Sequence, residues 1–488
     1  MRIFFVTPEA VPCSRAGGLG DISYHLPRAL WALGHEVTVV VPKYNYPEEG
    51  QLKLLPEFDR RVDLSISNRL AQFYELNLPD AHRLILVGCD ELFDRPGIYG
   101  NEFGDYDDNA ERYIFFSKAA NSLLLDLIDP EIPTVVHSHD WPTGLVSLFL
   151  KLARAANPKL RQLATIFTYH NLANQGVFPY WDFTMTGLDW SLFNYRSLEF
   201  HGQLNLTKAG LLGADIISTV SHKYARETLG QEFGHGLEGV LKERQAVLRN
   251  VLNGVDYTLW DPATDPFIPA KFGPEDLSGK KRCRENLANL FGLKPGPEPI
   301  VAMVSRLLSR KGFDLIARAM PSLLTMPLRL VFMGTGEDQH ISFLRETARQ
   351  HPGQVGLKLA YDPALTHQIL AGADIFLAPS RFEPCGLEQM YAMKYGSVPV
   401  ARATGGLEDT ILDELENPGQ GTGFKFQRYT PDDLAQALNE AILAYKNPEV
   451  WTGLMTRGMW NDFSWEISAN AYISVYEEAL ALAKEAAL

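Results

Sequence analysis

Three cations stand within six residues of one another in Ser305-Arg306-Leu307-Leu308-Ser309-Arg310-Lys311-Gly312. They follow an apolar run that reads as a buried strand, so they are expected at its carboxyl end. Arg306, Arg310 and Lys311 suit a diphosphate leaving group, because fixed cations stabilise the negative charge that builds as it departs. The plainer reading is a solvated helix start. It is weakened because cations are unfavourable at a helix N-terminus unless an anion sits there. A second block, Pro379-Ser380-Arg381-Phe382-Glu383-Pro384-Cys385-Gly386-Leu387-Glu388-Gln389, follows another apolar run. It puts the Glu383 carboxylate at a strand end. The backbone N–H groups behind it, at Cys385, Gly386 and Leu387, suit an anionic or hydroxyl-rich ligand where a helix starts near Gly386. A lone glutamate in such a place also serves as a surface charge or a helix-start charge.

The loop Ser14-Arg15-Ala16-Gly17-Gly18-Leu19-Gly20-Asp21 brings glycines, a cation and an acid ahead of a helical pattern. Gly17 and Gly18 let backbone N–H groups approach a phosphate, and Arg15 adds a full charge. A dinucleotide fingerprint continuing from Gly18-x-Gly20 needs a glycine at position 23, which is Ser23, so a nicotinamide enzyme is disfavoured. No Walker-type Gly-Lys-Ser/Thr occurs, and a glycine-rich turn alone is commonly only a turn. His170, in Thr168-Tyr169-His170-Asn171-Leu172, and Asp140-Trp141, in His137-Ser138-His139-Asp140-Trp141, each come straight after a strand-like run. A single histidine is more often structural than catalytic, but several polar residues just past strand ends carry more weight together. Asp105-Tyr106-Asp107-Asp108 contains an Asp-x-Asp, a metal-holding pattern in some sugar transferases. It precedes a helical stretch over 109–120, so Asp108 or Asn109 as N-cap is preferred, and no metal site is expected.

Positioning these residues requires strands that all end on one side. Apolar, β-branched runs at 3–6, 36–41, 134–137, 163–168 and 216–220 alternate with helix-length segments, as they do again at 299–304, 328–333, 355–359, 375–378 and 398–401. Such runs indicate parallel sheets covered by helices on both faces. The predicted fold is α/β, with two Rossmann-like doubly wound domains facing across a cleft. The break falls near 245–260, where Asn253-Gly254 and the Pro-rich stretch 260–274 suit a junction. Domain limits of 1–250 and 251–463 follow. The segment 464–488 is expected as a helix, with Ser464 as N-cap and Ile467, Ala471, Tyr472, Val475, Tyr476 and Leu480 on one stripe. It either packs on the second domain or returns to complete the first.

Composition narrows the chemistry further. Of 488 residues, 46% are hydrophobic and 21% charged, an ordinary globular balance with room for two or three cores. The net charge of −14, with no long basic run, excludes general nucleic-acid binding, so cations for a phosphorylated ligand must be concentrated in one site. The four cysteines, Cys13, Cys89, Cys283 and Cys385, are far apart and form neither a zinc module nor a disulfide framework. MRIFFVTPEA reads as a first strand rather than a signal peptide, and no apolar stretch reaches the ~18 residues of a membrane span. A cytoplasmic protein that binds no membrane is expected.

Nearly end to end, the chain resembles the bacterial glycogen synthases and plant starch synthases. The N-terminal loop is similar to that family's Lys-x-Gly-Gly-Leu-x-Asp. Further matching blocks lie at 137–141, 169–176 (YHNLANQG), 236–239 (GLEG), 252–256 (LNGVD) with Trp260, 305–312, 379–389, 391–396 (YAMKYG) and 404–410 (TGGLEDT). The resemblance implies a GT-B fold and retaining transfer of glucose from a nucleotide sugar to the non-reducing 4-hydroxyl of an α-1,4-glucan. ADP-glucose is the implied donor and UDP-glucose the alternative, with no cofactor and no metal. The first domain would bind the glucan and the second the nucleotide sugar. By position, Arg306 and Lys311 would neutralise the leaving diphosphate, helped by Arg15, Gly17 and Gly18. Glu383 would stabilise the glucosyl unit and His170 would bond a sugar hydroxyl. Asp21, Asp140, Trp141, Asn253, Cys385, Gly386 and Leu387 would line the substrate site, with Tyr99 near the base.

Four positions depart from the resembled pattern: Arg15 replaces Lys, Arg310 replaces Gln, Glu388 replaces Thr or Asn, and Pro142 replaces a common His. Glu388 either repels phosphate or binds a ribose hydroxyl, and a shift in preference between the two donors is the expected consequence. Rival functions are fewer. A glucan phosphorylase needs pyridoxal phosphate on a lysine, for which no convincing site exists. A lipid-directed transferase usually carries a basic or amphipathic patch, against which the acidic charge speaks. A glucan-binding protein without catalysis is disfavoured by the presence of Glu383, His170, Arg306 and Lys311.

Overall fold

The computed structural model describes residues 1–45, 52–76, 78 and 82–485, so 486–488 of the expected terminal segment lie outside it. The chain divides into two compact units, Met1–Gly254 with Trp465–Leu488, and Val255–Ser464. In the first, a ten-stranded sheet runs in the order Leu248–Asn250, Ile216–Thr219, Leu163–Tyr169, Thr134–His139, Arg2–Val6, Glu36–Pro42, Arg83–Gly88, Asn68–Leu76 and Leu52–Leu54, with Arg60–Asp63 pairing Asn68–Leu76. It is parallel from Leu248–Asn250 to Arg83–Gly88 and antiparallel beyond.

From Arg2–Val6 the chain adds strands first to one side and then, at Thr134–His139, to the other. This reversal is a topological switch point, where the loops after the two central strands diverge and leave room for a ligand. Alternate residues of each strand feed the two cores. Phe4, Val40, Ile85 and Val136 pack with Phe115 and Leu123 of the helix Asn109–Leu127 on one face. Phe5, Val39, Leu86 and Val135 pack with Leu26 and Leu30 of the helix Gly18–Ala32 on the other.

The final helix, Trp465–Glu485, covers that second face. Its buried stripe is Trp465, Ala469, Tyr472, Val475, Tyr476, Ala479, Leu480 and Ala483, while Ile467 and Ala471 are exposed. The stripe is thus rotated from the expected one, because Trp465 and the small residues Ala469, Ala479 and Ala483 face the sheet. Tyr476 reaches His137 on the strand below, Oη to Nδ1, at 2.9 Å.

The second unit is a six-stranded sheet in the order Val355–Lys358, Arg329–Met333, Ile300–Val304, Ile375–Ala378, Val398–Arg402 and Phe424–Phe426, parallel throughout. Numbered along this unit, the order is 3-2-1-4-5-6, the doubly wound arrangement, with its switch point between Ile300–Val304 and Ile375–Ala378. No described helix is long and apolar enough to cross a membrane.

Candidate functional site

In the second unit the switch-point loops are 305–312 and 379–388, the two blocks richest in chemistry. Gly312 holds them together. Its φ of 93° lies in the left-handed region, and a Cβ there would stand 2.3 Å from the carbonyl oxygen of Pro379, so only glycine fits. Across this contact Lys311 Nζ donates to Glu383 Oε2 at 2.6 Å, and Ser380 Oγ donates to the same oxygen at 3.1 Å. Glu383 is only 8% exposed. Burial works against the Lys311 ammonium, but the Glu383 and Glu388 carboxylates hold its pKa above the ordinary lysine range, so it stays charged. Arg306 and Arg310 form no ion pair among the described residues.

Behind Glu383, the backbone turns at Gly386, which has φ 69°, and the helix begins just after it, at Glu388. Cys385 is buried, and its carbonyl accepts from Gln389 Nε2 at 3.2 Å. The Leu387 N–H is donated to Glu388 Oε2 at 3.2 Å. The next loop packs directly underneath: Gly406 N–H donates to the Glu383 carbonyl at 3.1 Å. A Cβ on Gly405, whose φ is 46°, would lie 1.9 Å from that same carbonyl. The Thr404-Gly405-Gly406 sequence therefore exists to let two backbones touch beneath the glutamate.

In the first unit the corresponding loops carry Arg15 to Asp21 after Arg2–Val6, Asp140 after Thr134–His139, His170 after Leu163–Tyr169 and Asn253 after Leu248–Asn250. Arg15 and Asp21 pair at 2.8 Å, and burial pushes the Asp21 carboxyl up against the pull of Arg15. Asp140, with φ 55°, accepts the backbone N–H of His170 at 2.7 Å, and burial raises its pKa to about 7. His170 Nε2 lies 3.0 Å from His139 Nδ1, and burial lowers the His170 pKa to about 3, so the ring is neutral at pH 7. His170 Nδ1, His139 Nε2 and Asn253 Oδ1 are buried without a hydrogen-bond partner. Buried polar atoms are nearly always satisfied, so the His170 and Asn253 orphans, each just past a strand end, are places that a hydroxyl-rich ligand can complete.

The structure brings Asp140 and His170 together and joins Arg15 to Asp21. Among the described residues, no hydrogen bond or ion pair links Asn253 to either group. Tyr99 and Trp141 lie in one aromatic cluster, with ring centroids 6.1 Å apart and Tyr113 4.8 Å from Trp141. Trp141 is thus packed against the core. Pro142, the departure beside it, is the second residue of the short helical turn Trp141–Thr143, in the first turn where a missing N–H costs no helical bond. The N-cap position before the helix Asn109–Leu127 is Asp108, but its carboxylate holds Arg95 at 2.6 and 2.7 Å instead of capping a backbone N–H.

Three residues emerge only here. Glu9 is 3% exposed and its Oε2 accepts the N–H groups of Ala16 at 2.6 Å and Gly17 at 3.0 Å, while Oε1 accepts the Tyr99 hydroxyl at 3.0 Å. The Gly17 amide therefore serves to hold its own loop to Glu9. His139 orients His170, and Ser380 orients Glu383. Glu9 follows a strand end, the same signal that singled out the others, but its partner Tyr99 is 90 residues away in sequence.

Comparison with known proteins matches this arrangement. Residues 2–243 match the family described as "Starch synthase catalytic domain", and residues 291–452 match "Glycosyl transferases group 1". A glycogen synthase from Anaeromyxobacter sp. (strain Fw109-5) is 43% identical, the match covering 99% of this chain and 100% of that one. A glycogen synthase from Moorella thermoacetica is 41% identical over 98% and 97% of the two chains. Among solved structures, the catalytic domain of starch synthase IV from Arabidopsis thaliana, bound to ADP and acarbose, superposes with a TM-score of 0.86 at 31% identity, covering 98% of this chain and 99% of that one. With a doubly wound sheet in each unit and likeness along the whole chain, this protein belongs to the glycogen and starch synthase family of retaining GT-B glycosyltransferases, which pass glucose from a nucleotide sugar to a glucan.

Proposed function

We propose that the chain transfers glucose from ADP-glucose to the non-reducing 4-hydroxyl of an α-1,4-glucan, keeping the α configuration. The second unit takes the nucleotide sugar and the first takes the glucan. The observation that carries this reading is the buried Lys311–Glu383 pair at a switch point, with Arg306 and Arg310 beside it. Cleaving the bond between C1 and the diphosphate builds negative charge on the leaving group and positive charge on the sugar. Arg306 and Lys311 answer the first, and the Glu383 carboxylate answers the second. Because the neutralised diphosphate leaves readily, the 4-hydroxyl can attack C1 from the face it vacates, its oxygen bonding to C1 as the C1–phosphate bond breaks and its proton passing to the departing diphosphate oxygen, without a protein nucleophile. That mode of attack preserves configuration.

In the first unit, neutral His170 offers its free Nδ1 to a sugar hydroxyl, and Asn253 offers Oδ1. Asp140 fixes the His170 backbone, and Glu9 and Asp21 fix the loop that carries Arg15, Gly17 and Gly18. Tyr99 is anchored to Glu9 through its hydroxyl. The choice of ADP-glucose is supported by the ADP in the starch synthase IV structure. Glucose incorporation into glycogen, measured with ADP-glucose and UDP-glucose in parallel, tests it. The expected result is a higher kcat/KM with ADP-glucose; a preference for UDP-glucose would overturn the donor assignment.

A further inference from the structure

Glu383 is not the only carboxylate facing the cation cluster. Lys311, Glu383 and Glu388 line one cavity, together with Ser305, Ser380 and Gln389. Lys311 is already bonded to Glu383. The Glu388 side chain folds back so that its Oε2 accepts the Leu387 N–H at 3.2 Å. Despite burial, Lys311, the neighbouring backbone N–H groups and Arg306 hold its carboxyl below the ordinary glutamate range, so it is an anion. A neutral residue here would leave a net charge of two on Arg306, Arg310, Lys311 and Glu383; Glu388 reduces it to one.

We propose that Glu388 is a resident counter-ion of the donor site: its carboxylate holds the anion position that the donor's diphosphate takes, so a nucleoside diphosphate binds by displacing it and leaves more readily on its return. The proposal rests on the donor site assigned above to the second unit. A chain with three cations here would otherwise hold its product diphosphate tightly, and an internal carboxylate offsets that. The effect acts on the diphosphate, which ADP-glucose and UDP-glucose share, so it gives Glu388 no part in choosing between them.

Calorimetric titration of ADP, and separately of inorganic pyrophosphate, into the full-length chain tests this with Glu388→Gln and Glu388→Asp. The Gln variant is expected to bind both probes about tenfold more tightly, and the Asp variant, which keeps the charge, to stay within about twofold of the wild type. Unchanged or weaker binding by the Gln variant would overturn the proposal. So would an equal gain in the Asp variant, since charge would then not be the cause. Weaker ADP binding with unaltered pyrophosphate binding would instead make Glu388 a partner of a nucleoside hydroxyl. If the wild type binds neither probe, the donor site and its counter-ion fall together; if it binds ADP but the Gln variant gains nothing, only the role of Glu388 falls.

Discussion

His137, His139 and His170 lie in a row behind the switch point of the first unit, with ring centroids 4.0 and 5.3 Å apart along it. Burial lowers the pKa of all three, to about 3 for His170. A neutral imidazole can direct a hydrogen bond at a sugar without adding charge beside a developing cation, which a protonated one would oppose. The same burial has a cost in acid. An unfolded histidine takes up a proton near pH 6.5 and these folded ones do not, so their contribution to stability is present above that pH and lost as pH falls through it. Asp140 acts oppositely: folded, it keeps its proton up to about pH 7, so it favours the fold as pH falls from there. Three imidazoles against one carboxyl leave a net loss. Between about pH 7.5 and 5.5 the unfolding free energy should drop, and His139→Gln should drop by about 1 kcal/mol less than the wild type. Equal slopes in denaturant titrations of the two proteins would mean that His139 titrates alike folded and unfolded.

The elements place these residues through backbone contacts as much as through side chains. Gly405 is the sharpest case, because a Cβ there meets the carbonyl oxygen of Glu383 at 1.9 Å and the φ of 46° is itself unfavourable for other residues. Gly405→Ala should therefore destabilise the second unit by about 2–4 kcal/mol and lower kcat by displacing Glu383. Thermal unfolding and initial rates read both, and native values for the two would contradict the contact. Most of the central parallel strands were legible in the sequence as continuous apolar runs buried on both faces, but Arg83–Gly88 was not, although it too is an apolar run that pairs in parallel with Glu36–Pro42. The strands Leu248–Asn250 and Phe424–Phe426 were not, being three residues long at sheet edges and too short to show a period. Nor was the antiparallel flank Asn68–Leu76, whose mixed burial follows from having one face partly wet. Among the site residues, Arg306, Lys311 and Glu383 were visible by type and place. Glu9 and His139 were not, because each is defined by a partner from a distant element.

At the scale of the whole molecule, a chain with a net charge of −14 concentrates Arg306, Arg310 and Lys311 at one switch point, where an anion can be held against the general field. Each unit repeats one solution, a doubly wound sheet whose central strands release their loops in opposite directions. The reading of transfer from a nucleotide sugar to a glucan depends most on Glu383, which the second unit buries and pairs with Lys311. Glucose incorporation into glycogen by the wild type and by Glu383→Ala, at saturating ADP-glucose and with folding verified by circular dichroism, tests it most directly. Strong transfer by the wild type and a loss of at least about 100-fold in kcat by the variant are predicted. Equal rates, or no transfer by the wild type from either ADP-glucose or UDP-glucose, would contradict the account.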